Sequence, residues 1–156
     1  MAAEDDDLAA ILLVEDNPDH EELVRRALEE RAAPVALKVV RHGEEALDYL
    51  FRRGEYQDAE RSPRPRLILL DLRLPRVDGL EVLAEVKSSP DLRAIPTVVL
   101  TTSESEDDLA RACAQHANSY LVKPVEFERF EALMVSLESY WLTLNRQPGD
   151  GGRRAD

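Results

Sequence analysis

The sequence predicts an α/β protein with a doubly wound, five-stranded, mostly parallel sheet and five helices. Three observations lead there. Short aliphatic runs alternate with longer amphipathic stretches. Three of those runs are almost uninterruptedly apolar, as strands covered on both faces are. Polar residues come directly after four of the runs, which fits parallel strands that deliver side chains to one edge of a sheet.

The predicted strands are Ala10-Val14, Val35-Val40, Leu67-Leu70, Thr97-Leu100 and Ser119-Val122. Helical stripes lie between and after them. Leu23, Val24, Ala27 and Leu28 share a face, as do Ala46, Leu47, Leu50 and Phe51, and then Leu80, Leu83 and Val86. Leu109, Ala112, Cys113 and His116 form a fourth stripe, which places Cys113 in the core and His116 at a helix end. A long fifth stripe runs Phe127, Phe130, Leu133, Met134, Leu137, Trp141 and Leu144. Asp78-Gly79 reads as a turn that starts a helix. The organisation is a tail over residues 1–9, one domain over 10–146 and a disordered tail over 147–156.

Length and charge narrow the function. A chain of 156 residues suits one domain with a sizeable core. Net charge is −12, which argues against nucleic acid, because a phosphate backbone needs a basic footprint. The local exception, Arg61 to Arg66, reads as a solvated, proline-rich loop. No apolar run approaches the ~20 residues of a membrane span, and the acidic N-terminus is unlike a secretory signal. A single cysteine fits a reducing cytoplasm.

The chemistry lies at the strand ends. Glu15-Asp16 stand after the first strand, Asp71 after the third, Thr101-Thr102 after the fourth and Lys123-Pro124 after the fifth. Clustered carboxylates repel, and each resists ionising beside the others. A hard divalent cation removes that conflict, and Mg²⁺ keeps several waters, so one or two direct carboxylates suffice. Asp16 and Asp71 are the expected direct ligands, with Glu15 acting through water. Lys123 balances a carboxylate, or an added anion, at Asp71, and the Thr101 hydroxyl can donate to that anion. Any one acid–lysine pair would read more simply as a structural salt bridge; four coincident strand ends read as a site.

The ordered motifs VEDNP (Val14-Pro18), LLDLRLPRVDG (Leu69-Gly79), VVLTTS (Val98-Ser103) and YLVKP (Tyr120-Pro124) resemble the receiver domains of two-component response regulators. The resemblance covers about Ile11 to Leu144 and implies the flavodoxin-like receiver fold. It implies that Asp71 accepts a phosphoryl group from a histidine kinase, that Mg²⁺ (or Mn²⁺) binds Asp16, Asp71 and the Arg73 backbone carbonyl, and that Lys123 pairs with the phosphoryl oxygens. Thr101 and Tyr120 become the switch pair, and the Lys123-Pro124 bond is expected cis, an isomer that proline makes accessible at ~0.5–1 kcal/mol. Such a protein catalyses only its own phosphorylation and dephosphorylation.

Three departures refine the match. Gly54-Arg66 lengthens the chain between the second helix and third strand; Arg73 and Ser103 flank the acceptor and switch; the last helix runs on into ESYWLTLNRQPG. Together they resemble the small single-domain regulators paired with bacterial phytochrome histidine kinases. The alternative is a phosphate sink or intermediate phosphorelay carrier for a non-phytochrome hybrid kinase. Expected partners are that kinase, docking on Pro18, Asp19, Glu22, Pro124 and Val125, and a second copy through the fourth helix, fifth strand and fifth helix. Neither DNA nor membrane is expected. His20 and His42 read as surface groups. A flavin protein would need a phosphate-cradling loop where Glu15-Asp16 stand. A phosphohydrolase would need a second acid where Arg73 stands.

Overall fold

The computed structural model describes residues 9–30 and 35–148. Its sheet contains β1 (Ala9–Val14), β2 (Val35–Val40), β3 (Leu67–Leu70), β4 (Thr97–Thr101) and β5 (Ser119–Val122). All neighbours are parallel, in the order β2-β1-β3-β4-β5, so the chain winds one way from the centre and then the other. The registers Ile11↔Leu67 and Ile68↔Thr97 align the strands so that their carboxyl ends share one edge.

Period-two alternation divides the aliphatic runs between two cores. Leu12, Val14, Ile68, Leu70 and Val99 face one side, packing with Ala46, Leu47, Leu50, Val82, Leu83, Val86 and Ala112. Those partners come from α2 (Gly43–Leu50), α3 (Gly79–Ser88) and α4 (Glu106–Ala114). Ile11, Leu13, Leu67, Leu69, Val98 and Leu100 face the other side. They meet Val24, Ala27 and Leu28 of α1 (Pro18–Glu29), and Phe130, Met134 and Leu137 of α5 (Phe127–Glu138). Residues of β3 are fully buried because both faces are covered, which is why its four positions are all aliphatic. Among the described residues no helix is long and apolar enough to cross a membrane.

Helix starts obey local chemistry. Asn17, His42, Asp78 and Ser105 cap α1 to α4, each accepting a backbone N–H of the first turn through its side chain. Gly79 opens α3 where an added Cβ would lie 2.3 Å from the Asp71 carbonyl oxygen and 2.5 Å from Leu72 Cα. Only glycine admits that approach of helix to strand end. His116 sits just past α4 at φ 67°, in the left-handed region, and its N–H donates to the Cys113 carbonyl at 2.9 Å.

Several sequence expectations are corrected. Cys113 is exposed: Ala112 of the expected stripe does face inward, but its buried companion in α4 is Asp108, and Leu109 is only half-buried. In α3, Val82 is fully buried and Leu80 only half-buried. The stretch Arg61 to Arg66 is not a solvated loop throughout. Ser62 is fully buried, with its hydroxyl donating to the Tyr56 and Asp58 carbonyls at 2.9 Å each. Tyr49 donates to the Pro63 carbonyl at 2.8 Å, and Arg64 donates to the Leu50 carbonyl at 2.6 Å. Backbone carbonyls in such a segment and at the end of α2 need donors, and these side chains supply them.

The long fifth stripe also breaks. After Glu138 the helix widens into a π-helical turn, Ser139–Leu144, closed by the Asn145 N–H donating to the Tyr140 carbonyl. The added residue per turn rotates the stripe, so Trp141 and Leu142 fold back on the core while Tyr140 and Leu144 face solvent. Ala9 pairs with Val35, and Gln147 donates to the Arg66 carbonyl at 3.0 Å; residues 1–8 and 149–156 of the expected tails lie outside the described residues.

Candidate functional site

The ladder itself places the polar residues. Asp71 donates its backbone N–H to the Val14 carbonyl at 3.1 Å, and Glu15 donates to the Val40 carbonyl at 3.0 Å. Lys123 does the same to the Thr101 carbonyl at 2.7 Å. Each is thus the first residue past its strand, still held by the sheet, with its side chain at the common edge. Glu15, Asp71, Thr101 and Lys123 are buried, and Asp16 is exposed.

Lys123 organises the centre. Its Nζ donates to Glu15 Oε1, to Asp71 Oδ2 at 3.0 Å and contacts His20 Nδ1 at 2.8 Å. These are three acceptors for three ammonium protons. Asp71 Oδ1 accepts the Arg73 N–H at 3.2 Å, and Glu15 Oε2 accepts the Asn17 N–H at 3.1 Å. Burial pushes the Glu15 carboxyl up to about 7; Lys123 pulls against that shift and Asp71 adds to it. One carboxylate oxygen from each of Glu15, Asp16 and Asp71 lies within 4.8 Å of the other two. Three hard oxygen donors around one point, one of them solvent-facing, suit an octahedral cation that retains waters.

Thr101 and Tyr120 stand beside this centre. The Thr101 hydroxyl oxygen accepts the Ser103 N–H at 3.3 Å, and Tyr120 donates its hydroxyl proton to the Ser103 carbonyl at 3.0 Å. Both therefore hold the loop after β4. Arg73 is linked to the same loop through α4, since its guanidinium pairs with Asp108, which also accepts the Ser103 hydroxyl.

The expected cis Lys123-Pro124 bond is corrected: no cis peptide occurs among the described residues. An X–Pro bond still favours trans by ~0.5–1 kcal/mol, and Lys123 reaches all its partners from the trans form. His20, expected at the surface, is instead half-buried in the site. It sits in the first turn of α1, directly after β1, and that adjacency to Glu15-Asp16 is its only sequence signal. Asp108, one acid among three at the start of α4, gives none.

Fold and site together define a doubly wound α/β protein with an acidic, lysine-bridged centre at the carboxyl edge of its sheet. The model of the response regulator receiver domain matches residues 11–134, and the chain belongs to that family. It is 50 % identical over 146 residues to the probable methanogenesis regulatory protein FilR2 of Methanothrix harundinacea, covering 94 % of this chain and 92 % of that one. It is 44 % identical over 142 residues to response regulator Rcp1 of Synechocystis, covering 91 % and 95 %. The Mn²⁺-bound structure of Rcp1 superposes with a TM-score of 0.85 over 90 % of this chain and 99 % of that one. The phosphorylated cyanobacterial phytochrome response regulator RcpA, 42 % identical, superposes at 0.87 over 91 % and 99 %. The chain is thus similar to phytochrome-associated response regulators across nearly its whole length.

Proposed function

We propose that the protein is a response regulator that takes a phosphoryl group onto Asp71 from a histidine kinase and passes the event on by changing its interaction surface. The observation that carries this reading is the pairing of Asp71 Oδ2 with Lys123 Nζ at 3.0 Å inside a cluster of carboxylates. A carboxylate so placed is a nucleophile whose product, an acyl phosphate, finds an ammonium already beside it.

Glu15, Asp16 and Asp71, with the Arg73 carbonyl, would hold Mg²⁺ or Mn²⁺, which supplies charge neutralisation on the transferring oxygens. The chain's own residues do the rest. A carboxylate oxygen of Asp71 attacks phosphorus as the P–N bond of the kinase phosphohistidine breaks, and the electron pair leaves on the imidazole nitrogen. Lys123 offsets the charge that arrives. The Thr101 hydroxyl, now an acceptor for the Ser103 N–H, can turn its proton to a phosphoryl oxygen, and Tyr120, tied to Ser103, moves with it. The Mn²⁺-bound Rcp1 and phosphorylated RcpA support both parts of this reading by similarity.

The kinase approaches the open edge, where Pro18, Asp19, Glu22 and the fully exposed Val125 offer themselves. A phytochrome kinase is favoured by the likeness to RcpA. The 50 % identity to a methanogenesis regulatory protein favours a second reading, a regulator or phosphate sink served by a non-phytochrome kinase. A homodimer through α4, β5 and α5 is in keeping with exposed Val122, Phe127, Val135, Tyr140 and Leu144. The exposed thiol of Cys113 suits the reducing cytoplasm.

Acetyl phosphate with Mg²⁺ should label the chain, and Asp71→Asn should abolish the label. Undiminished labelling of that variant overturns the proposal. Phosphotransfer from a panel of kinases, tracked for gain and loss of label, then separates the two partner readings.

A further inference from the structure

Asp108 reaches out of α4 toward the phosphoacceptor loop. It is only 3 % exposed, and a buried carboxylate requires partners. Its Oδ2 takes two: the Arg73 guanidinium and the Ser103 hydroxyl at 2.5 Å. Its backbone N–H donates to the capping Ser105 hydroxyl at 3.2 Å. One buried oxygen therefore ties the loop after β3, the loop after β4 and the first turn of α4. The guanidinium it holds belongs to the residue whose own N–H already touches Asp71 Oδ1.

We propose that Asp108 is a positioning residue that withholds the Arg73 guanidinium from an anion on Asp71, so that phosphoryl capture and the docking of α4 compete for one cation. This rests on Asp71 being the phosphoacceptor. A phosphoryl group carries up to about two negative charges and offers several acceptor oxygens, whereas Asp108 presents one oxygen to Arg73. Arg73 is a long side chain, 58 % exposed, and can swing between them. Once it leaves, the buried Asp108 carboxylate has lost its cation, and the first turn of α4 must move to let water in. By linkage, whatever holds that turn in place weakens phosphoryl capture by the same factor.

Beryllofluoride with Mg²⁺ serves as the phosphoryl probe, titrated into the unmodified chain, Asp108→Asn, Arg73→Ala and the double variant. Asp108→Asn should tighten binding about fivefold when Arg73 is present, the low end of ordinary coupling between sites. Without Arg73 the same change should shift binding by less than about twofold. Equal tightening in both backgrounds, or none, overturns the inference, because loss of a nearby charge or of local structure would not depend on Arg73. If Asp108→Asn does not fold, the Arg73 Nε–H resonance of the unmodified chain is monitored instead. It should shift on adding beryllofluoride, and an unmoved resonance overturns the inference. Failure of beryllofluoride to bind the unmodified chain at all would instead overturn Asp71 as acceptor.

Discussion

Lys123 Nζ lies 2.8 Å from His20 Nδ1, joining the end of the last strand to the first turn of the first helix. An ammonium donates and never accepts, so Nδ1 presents its lone pair and the ring proton sits on Nε2. Nitrogen NMR of His20 should show that tautomer; a proton on Nδ1 would contradict the contact. His20→Phe should destabilise the chain by only about 0.5–1 kcal/mol in urea unfolding, since water can replace a half-buried acceptor.

Removing the lysine is a different matter. Lys123→Met leaves Glu15 and Asp71 buried without their cation and should destabilise by about 3 kcal/mol when no divalent metal is added. Millimolar Mg²⁺ should then stabilise the variant more than the unmodified chain, because metal becomes the only charge facing the pair. An equal shift in both would show that lysine and metal act independently.

Metal binding has its own signature in thermal unfolding. A ligand bound only by the folded state stabilises it by about 2.7 kcal/mol at a hundred times its dissociation constant. Mg²⁺ or Mn²⁺ should therefore raise the melting temperature of the unmodified chain. Asp16→Asn, which changes an exposed ligand without disturbing the core, should remove most of that rise while leaving the metal-free melting temperature nearly unchanged.

Gly79→Ala tests the seat of Asp71. Its Cβ would have to fit 2.3 Å from the Asp71 carbonyl oxygen, a backbone atom that cannot rotate away. Overpacking of this kind costs about 1–3 kcal/mol. The variant should lose stability by that amount and label more slowly, since relief moves the acceptor. Unchanged labelling at reduced stability would place the adjustment in α3 alone.

Tyr49 gives a pH test remote from the site. Burial pushes its phenol up to about 12, with Arg52 and Arg64 pulling the other way. The unfolded phenol ionises near ~10, so the fold favours the neutral form. That contribution is complete below about pH 10 and is lost as pH rises toward about 12. Burial and the hydrogen bond to Glu45 also push the Tyr56 phenol up, so tyrosinate absorbance should show two late-ionising groups, of which Tyr49→Phe removes one, and the variant should have a flatter decline of stability in alkali.

The strands are legible almost to the residue, because a strand covered on both faces has to be aliphatic throughout, and Leu67–Leu70 admits no other reading. So are Asp71, Glu15 and Lys123, whose chemistry is conspicuous at the end of such a run. Helix faces are harder. The phase of α4 depends on Asp108 turning inward, and an acid turns inward only because Arg73 and Ser103, remote from it along the chain or across a loop, meet it there. His20 escapes a sequence reading for the same reason, since its partner is a lysine near the other end of the chain. A uniform helical pitch would keep Leu144 on the face of Leu137 and Trp141, and the π-turn, which does not keep that pitch, leaves Leu144 in solvent.

The segment between α2 and β3 has a practical use. Its anchors, Tyr49, Ser62 and Arg64, hold it against α2. Between those anchors Gln57, Asp58, Ala59, Glu60 and Arg61 are all exposed. Glu60 and Arg61 line a cleft with Lys38, Val39 and Val40, so a fluorophore or surface tether attached at Gln57 or Ala59 would stand on the β2 side of the sheet, at the far end of the strand order from β5. The molecule thus carries a built-in handle, from which docking at the opposite edge can be watched without touching it.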